Sequence, residues 1–524
     1  MLRRTLAALA AAGLIAAVVG TAAAARPPTA PGYTLGNVGP YGGEPSIVSD
    51  TNGNLYDATP NGGTLTYRSG DKGRTWQQVT TADPNSGDDC LATDQSNAVY
   101  LCNLAGSEGV APLQADVWKS VNGGASWTHG EGALPECGTS CSEAGVDRDW
   151  LAASILSGKS TSKAEVVLMY HDFYGPSQIW VNISKDGGAT FGQPQNVLAA
   201  PAVTPGAIAG TVVAQGYTLC NTVPAGVGIV PPGKPHAGRI IVGWIAADLP
   251  QNATGCNVTM AQAFHTIWVS YSDDGGQTWT PQQAFDAGIG HDTSTPFAAF
   301  TTDRQGNPYF SFDTTLNANP AVCAAESAAG TVQSDPSCEY DQYVIWSNDA
   351  GATWDGGGGL IPGSAAQAYR VNPATERGTH FFPAIAAGNP GQVDVAYLRS
   401  TTILPTDPLG KADPGGCGGP GPANGNPPTY PPACSWNLFA GQSVNLSKGT
   451  GGATWAIGQV TTTPMHVGDI CNLGIFCVAP SSNRNLLDFI SEALDNRGCA
   501  HIAYSDDNTV NMLRVANQTS GPCL

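Results

Sequence analysis

Ser272-Asp273-Asp274-Gly275-Gly276-Gln277-Thr278-Trp279 is an octad that returns along the chain and sets its period. Ser69 to Trp76, Ser184 to Phe191 and Ser347 to Trp354 are close copies. Ser120 to Trp127 carries Asn in place of Asp, and Ser447 to Trp455 has one extra residue and no acid. Asp in the third position can accept hydrogen bonds from the N–H groups of its own turn, and the glycine takes a positive φ that other residues avoid. The Ser and Thr hydroxyls can tie the flanks, which leaves the aromatic to pack between neighbouring sheets. The octad therefore predicts a tight hairpin turn between two strands, and its recurrence predicts a repeat architecture.

Between octads the chain repeats an apolar strand, a polar turn and a second strand. Glu44-Pro45-Ser46-Ile47-Val48, the turn Asp50 to Gly53, Leu55 to Ala58, and Leu65 to Arg68 leading into the first octad give four strands per unit. Thr295 to Ala298 and Phe382 to Ile385 open later units in the same way. The expected blades lie near 43–81, 88–130, 147–198, 219–285, 292–360 and 378–463, and a seventh begins at Arg484 without an octad. Its fourth strand is missing, and Tyr33 to Val38 is free to supply it. The sequence thus predicts an all-β chain: a β-propeller of four-stranded blades closed by an N-terminal strand, with seven blades favoured over six. A Gly/Pro-rich insert, Pro405 to Pro432, falls between the second and third strands of blade six.

These octads resemble the Asp-box, or BNR, repeats of sialidase-like β-propellers, and the likeness covers most of the chain. The resemblance is specific for the propeller and less so for the activity, because Asp-boxes also occur in relatives that cleave other glycans or cleave nothing. It implies a glycoside hydrolase of exo-α-sialidase type, with a Tyr nucleophile assisted by a Glu, an Asp acid/base and three arginines clamping the substrate carboxylate; the alternatives are a non-catalytic propeller that binds glycan or protein, and a propeller polysaccharide lyase with a His or Tyr base. The family opens its first blade with Arg-Ile-Pro, whereas this chain has Gly43-Glu44-Pro45 and no arginine between Arg26 and Arg68.

Arg3 and Arg4 precede an apolar run from Leu6 to Val19, and Ala23-Ala24-Ala25 supplies a cleavage site, so residues 1–25 read as a secretory signal peptide of bacterial type. The remainder, 26–524, reads as a single domain that is secreted and carries no membrane span. With 22 Lys and Arg against 41 Asp and Glu the chain is acidic, which excludes nucleic acid as a partner. Extracellular carbohydrate is the expected partner, and a monomer the expected state. An acidic surface repels polyanionic glycans unless a basic pocket is built locally. The 14 cysteines suit an exported, disulfide-bonded protein. Short separations favour the sequential pairs Cys90/Cys102, Cys137/Cys141, Cys220/Cys256, Cys323/Cys338, Cys417/Cys434, Cys471/Cys477 and Cys499/Cys523.

Strand order sorts residues by face. The start of strand one and the end of strand two of every blade share one face, and the octads lie on the other. Candidate site residues on the first face are Glu44, Asp89, Asp147, Arg148, His171, Asp172, His291, Asp292, Arg377, His380 and Arg484. Asp57, Asp88, Asn103, Asp248, Arg399, Asp488, Asp506 and Asp507 share it. Carboxylates there suit acid/base work on a glycosidic bond, and Arg148, Arg377 and Arg484 could clamp a carboxylate. Arg148 and Arg484, which open blades three and seven in like sequences, read equally well as cross-braces between blades. No cofactor is required; a structural Ca²⁺ suits carboxylate and carbonyl ligands, while His171 and His291 lack the spacing of a catalytic metal site.

Overall fold

The computed structural model describes residues 29–40, 42–84, 86–105, 114–130, 146–172, 179–198, 212–214, 216–250, 264–288, 291, 297–317, 339–355, 368–400, 435–446, 453–467, 470 and 486–524. They fold into seven antiparallel sheets. The first of the four main strands of each blade contacts its counterpart in the next blade, all the way round the ring. The architecture is a seven-bladed β-propeller, as the strand count predicts. Five blades have four strands, whereas blade 4 adds Val212–Ala214 inside its first strand and blade 6 adds His466–Val467.

The blade 7 strands Ser491–Leu494, Ala500–Asp506 and Met512–Ser520 are completed by Gly32–Pro40 on the outside. Gly32 pairs with Ser520 and Pro40 with Met512. The ring is thus closed by both ends of the chain. The signal-peptide segment, the Pro405–Pro432 insert and the pairs Cys137/Cys141, Cys323/Cys338, Cys417/Cys434 and Cys471/Cys477 lie outside the described residues. Cys90–Cys102 and Cys499–Cys523 are bonded, and Cys220 is also in a disulfide.

The octads are turns between the third and fourth strands. The threonine N–H groups donate to the Asp Oδ1 atoms of Asp71, Asp186, Asp274 and Asp349 at 2.8–2.9 Å, and the threonine hydroxyls donate to Oδ2 at 2.6–2.7 Å. The leading serine Oγ accepts from the glycine N–H. These donors hold the Asp274 carboxyl down at about 2. The sixth copy corrects the sequence reading: it begins at Ser443, and Asn445 Oδ1 takes the place of the acid, accepting from Thr454 N–H at 2.9 Å and from Ser443 Oγ at 3.1 Å. The insertion between Asn445 and Thr454 hid the start.

The polar turn between strands one and two repeats as the sequence predicts, but the tyrosine bonded to its Asp escaped the sequence reading. Asp50, Asp94 and Asp303 cap the turn between strands one and two, and a tyrosine six residues on (Tyr56, Tyr100, Tyr309) donates its hydroxyl to the same carboxylate at 3.5, 2.9 and 3.2 Å. In blade 7 His501 stands in the tyrosine position, 3.5 Å from Asp495. All these tyrosines are buried between sheets.

Ring closure also rests on buried carboxyls. Tyr33, on the closing strand, donates to Asp394 of blade 6 at 3.4 Å, and Gln442 is a second donor to it. Glu492 of blade 7 faces the same carboxylate with both of its oxygens buried. Burial, then the Asp394 charge, raises Glu492 well above the usual range; burial raises Asp394 to about 6. The folded chain therefore holds protons that the unfolded chain releases. The contribution is complete below about pH 4 and is lost as pH rises through about 6. We expect the Tm to fall by about 2 °C or more between pH 4 and pH 7, and Glu492→Gln to flatten that slope; a Tm that climbs over this interval in both proteins contradicts the assignment.

Candidate functional site

On the face opposite the octads, four innermost strands open with a left-handed residue that is not glycine. These are Glu44, Arg148, Phe382 and Leu487, with φ of 46°, 52°, 56° and 53°, followed by Pro45, Asp149, Pro383 and Asp488. Such a conformation is uncommon for these residues. It turns each opening toward the axis, and the ladders of blades 3 and 6 carry a register shift at the same place.

Arg148 sits at the centre and is 5% exposed. It donates to both oxygens of Glu44, at 3.0 and 3.2 Å, and to Asp488, while Asp88 lies 3.6 Å away. Its guanidinium lies over Phe297 and Phe489, with ring centroids at 4.7 and 4.9 Å. One side chain thus joins blades 1, 2, 3, 5 and 7. Beside it is an apolar cavity of about 80 Å³, lined by Trp150, Pro224, Phe297, Phe489 and Ile490, with Glu492 the one acid among the described residues of the lining. Burial, against the pull of Arg148, raises Glu44, and the Asp88 and Asp488 charges add to the rise. A guanidinium so fully engaged acts as a brace.

Asp89 pairs across its strand with Asn103. Both are buried, and neither side chain has a hydrogen-bond partner among the described residues. Burial, then the Asp57, Asp149 and Asp88 charges, raises Asp89 well above the usual carboxylate range. His171, 2% exposed, uses Nδ1 on Thr222 O at 2.7 Å, and burial lowers it to about 4. His291 bonds Thr315 O at 2.8 Å through Nδ1. Asp147 and Asp172 lie in paired strands beside His171. Asp292 and Arg484 fall outside the described residues. Asp248 is a structural acceptor, taking bonds from Trp268 Nε1 and Thr266 Oγ1.

A second assembly lies between blades 5 and 6. Arg370 pairs with Asp341 at 2.6 Å, Arg399 with Glu376 at 2.7 Å, and Arg377 with Glu339. The three arginine side chains are 22%, 20% and 44% exposed. Arg399 is further fixed by donating Nε and Nη2 to Arg377 O. His380, with no exposed side-chain surface, places Nε2 3.5 Å from Glu376 and Nδ1 2.9 Å from Tyr340 O. Burial opposes ionisation of Glu376, but His380 and then Arg399 outweigh it and lower its pKa. Tyr397, stacked edge-on to His380, is buried, and its hydroxyl has no hydrogen-bond partner among the described residues.

Of the residues singled out from sequence, the structure brings Glu44 and Arg148 together, and groups Arg377 with His380. The sequence reading missed Asp488's place beside Arg148, the Phe297 and Phe489 cushions, and Glu376 and Arg370. The pattern of a residue before Pro or Asp at a strand opening was the available signal for the first; nothing local marks Glu376.

No protein-family model matches the chain, and no curated protein sequence does. Solved structures similar to it include an ulvan lyase, a polysaccharide lyase, at 12% identity over 90% of this chain and 94% of that one, with a TM-score of 0.46. Another is an α-L-arabinofuranosidase from Fusarium graminearum, at 12% identity over 74% and 96%, TM-score 0.38. A third is an intramolecular trans-sialidase from Ruminococcus gnavus, at 12% over 91% and 94%, TM-score 0.35. At these identities the activity has to be argued from the chain's own residues.

Removing Arg148 strands buried carboxylates, a change that costs about 3–5 kcal/mol. Arg148→Ala should lose that much stability in denaturant titration. A variant that folds at full stability and loses only ligand binding would show that Arg148 is a ligand clamp instead.

Proposed function

We propose that this chain is an exported, carbohydrate-active Asp-box propeller, a glycoside hydrolase of sialidase-like kind, and that it takes an acidic sugar at the mouth between blades 5 and 6. The observation that carries this reading is the concentration of three partly exposed arginines there in a chain of formal net charge −19. Such a chain repels acidic sugars over most of its surface. A site for them has to be built locally, and planar guanidinium groups pair with a carboxylate in two hydrogen bonds.

In this reading the ligand carboxylate displaces Glu339 from Arg377, the most exposed of the three at 44%, and is shared with Arg399. Glu376 then keeps His380 in place. The Tyr397 hydroxyl, buried beside Glu376 and Arg399, is the nearest match to the tyrosine that the resemblance implies. Burial raises it well above its ordinary value, so attack by Tyr397 needs proton removal by Glu376 at the moment of reaction. Arg148, saturated by its own carboxylates, takes no part in the clamp.

A second reading, binding without turnover, is favoured by one observation: each arginine already holds a carboxylate, and His380 and Tyr397 are buried. The test is product release from sialosides, uronate-containing polysaccharides and neutral arabinan, followed as free sialic acid, unsaturated uronate absorbance and reducing ends. We expect turnover of an acidic substrate by hydrolysis, with KM raised about 10- to 100-fold in Arg377→Ala and Arg399→Ala. Turnover of neutral glycans alone contradicts the clamp, and Arg-dependent binding with no product establishes the second reading.

A further inference from the structure

Asp89, Asn103 and Asp116 form a row across blade 2. Asp89 pairs with Asn103 in the neighbouring strand and Asn103 with Asp116 in the next, so the three side chains leave the sheet on the same side. Two residues further along the same strands are Leu91, Leu101 and Trp118, which pack with Tyr56 and Ala58 of blade 1. The row therefore faces blade 1. Just before Asp89 the ladder slips by one residue, with Ser86 opposite Ala105 and Asp89 opposite Asn103. Such a bulge re-aims the side chain that follows it.

The two ends of the row differ. Asp116, toward the rim, has His129 Nε2 3.2 Å from its carboxylate. Asp89 and Asn103, toward the axis, are 3% and 0% exposed, and none of their side-chain oxygen and nitrogen atoms has a hydrogen-bond partner among the described residues. They are neighbours, yet they do not bond each other. Across the interface Thr66 pairs with Ala58 and so faces blade 2 as well; it is fully buried and its hydroxyl has no partner among the described residues. Its strand, Thr64–Ser69, contacts the Asp89 strand, Ser86–Thr93. Leaving a buried carboxylate, amide and hydroxyl unmatched at one interface is costly, and an ion or ordered water is what completes such a set.

Charge decides between the two. The Asp57, Asp149 and Asp88 charges all act on Asp89, and Arg148, the cation that opposes them, is already bonded to Glu44 and Asp488. Water brings no charge to this corner, whereas a bound cation does. The donors at hand are oxygens of a carboxylate, an amide and a hydroxyl, a hard set that suits Ca²⁺ with water in the remaining positions. Among the described residues no three His, Cys, Asp or Glu side chains group for a metal, so the imidazole and thiolate ligands that a transition metal favours are not gathered there.

We infer that a Ca²⁺ ion binds between blades 1 and 2, held by the Asp89 carboxylate, the Asn103 amide oxygen and the Thr66 hydroxyl, with water completing its shell. Its role is structural. It ties two neighbouring sheets together and supplies positive charge where carboxylates of blades 1, 2 and 3 converge beside Arg148. The inference is independent of the mouth between blades 5 and 6 and of any turnover there.

The test treats the full chain with EGTA, desalts it and titrates it with calcium chloride, reading bound calcium and thermal unfolding together. We expect about one Ca²⁺ per chain at this site and a Tm that rises by about 3 °C or more at saturation. Asp89→Asn keeps the shape and removes the charge, so it should unfold no lower than the EGTA-treated parent and lose the calcium response. Thr66→Val keeps the fold by a second route and should weaken Ca²⁺ about tenfold; it decides the matter if Asp89→Asn does not fold. A parent chain whose Tm and calcium content ignore calcium chloride overturns the inference. A response kept in full by Asp89→Asn, or an unchanged affinity in Thr66→Val, overturns it too and puts the ion elsewhere.

Discussion

The buried contact of Arg148 with Glu44 and Asp488 is the constraint on which the rest depends. A propeller buries its blades against one another, but its axis is where seven strand openings converge and where packing alone leaves a hole. Here the hole is narrowed to a cavity of about 80 Å³ lined by aromatic, proline and aliphatic side chains, beside a guanidinium that stacks on Phe297 and Phe489 while it bonds carboxylates from blades 1 and 7. Leaving any of these charges unmatched in an apolar setting is costly. The positive φ at Glu44 and Arg148 is the local strain that aims them at each other. With the axis committed to bracing, the proposed ligand site lies farther out.

That displacement explains why the polar face divides into two kinds of residue. Near the axis, Glu44, Asp89, Asn103 and His171 are buried, and burial sets the titration of Glu44, Asp89 and His171. Farther out, between blades 5 and 6, Arg370, Arg377 and Arg399 keep solvent contact and exchangeable partners. A ligand competing for the second set reaches the arginines from solvent, but its contacts have to offset the loss of the guanidinium partner by Glu339 and Asp341, whose side chains are 2% exposed. It cannot compete for the first without opening the ring.

Much of the fold was legible because the octad is local: Ser, Asp, Gly and Thr bond within one turn, so spacing alone reveals it. The seventh blade was legible for the complementary reason, a missing strand and a free segment at Tyr33 to Val38. The sixth octad was misplaced because an insertion separates Asn445 from Thr454, which breaks the spacing but leaves the hydrogen bonds. The site was less legible. Arg148 carried two readings of equal weight, since sequence shows the charge and its neighbours in the chain but not Glu44 or Asp488, which lie 104 and 340 residues away. Glu376 and Arg370 drew no attention, since they pair across loops and strands that only the closed ring brings together.

Ligand binding is proposed at the outer arginines, and bracing at the axis. Hydrogen–deuterium exchange with and without a saturating acidic oligosaccharide separates the two most directly. Ligand-dependent protection is expected over Pro373 to Phe381 and around Arg399, with exchange at Glu44, Arg148 and Asp488 unchanged. Protection centred on those three axial residues, with none at Arg377 and Arg399, would contradict it.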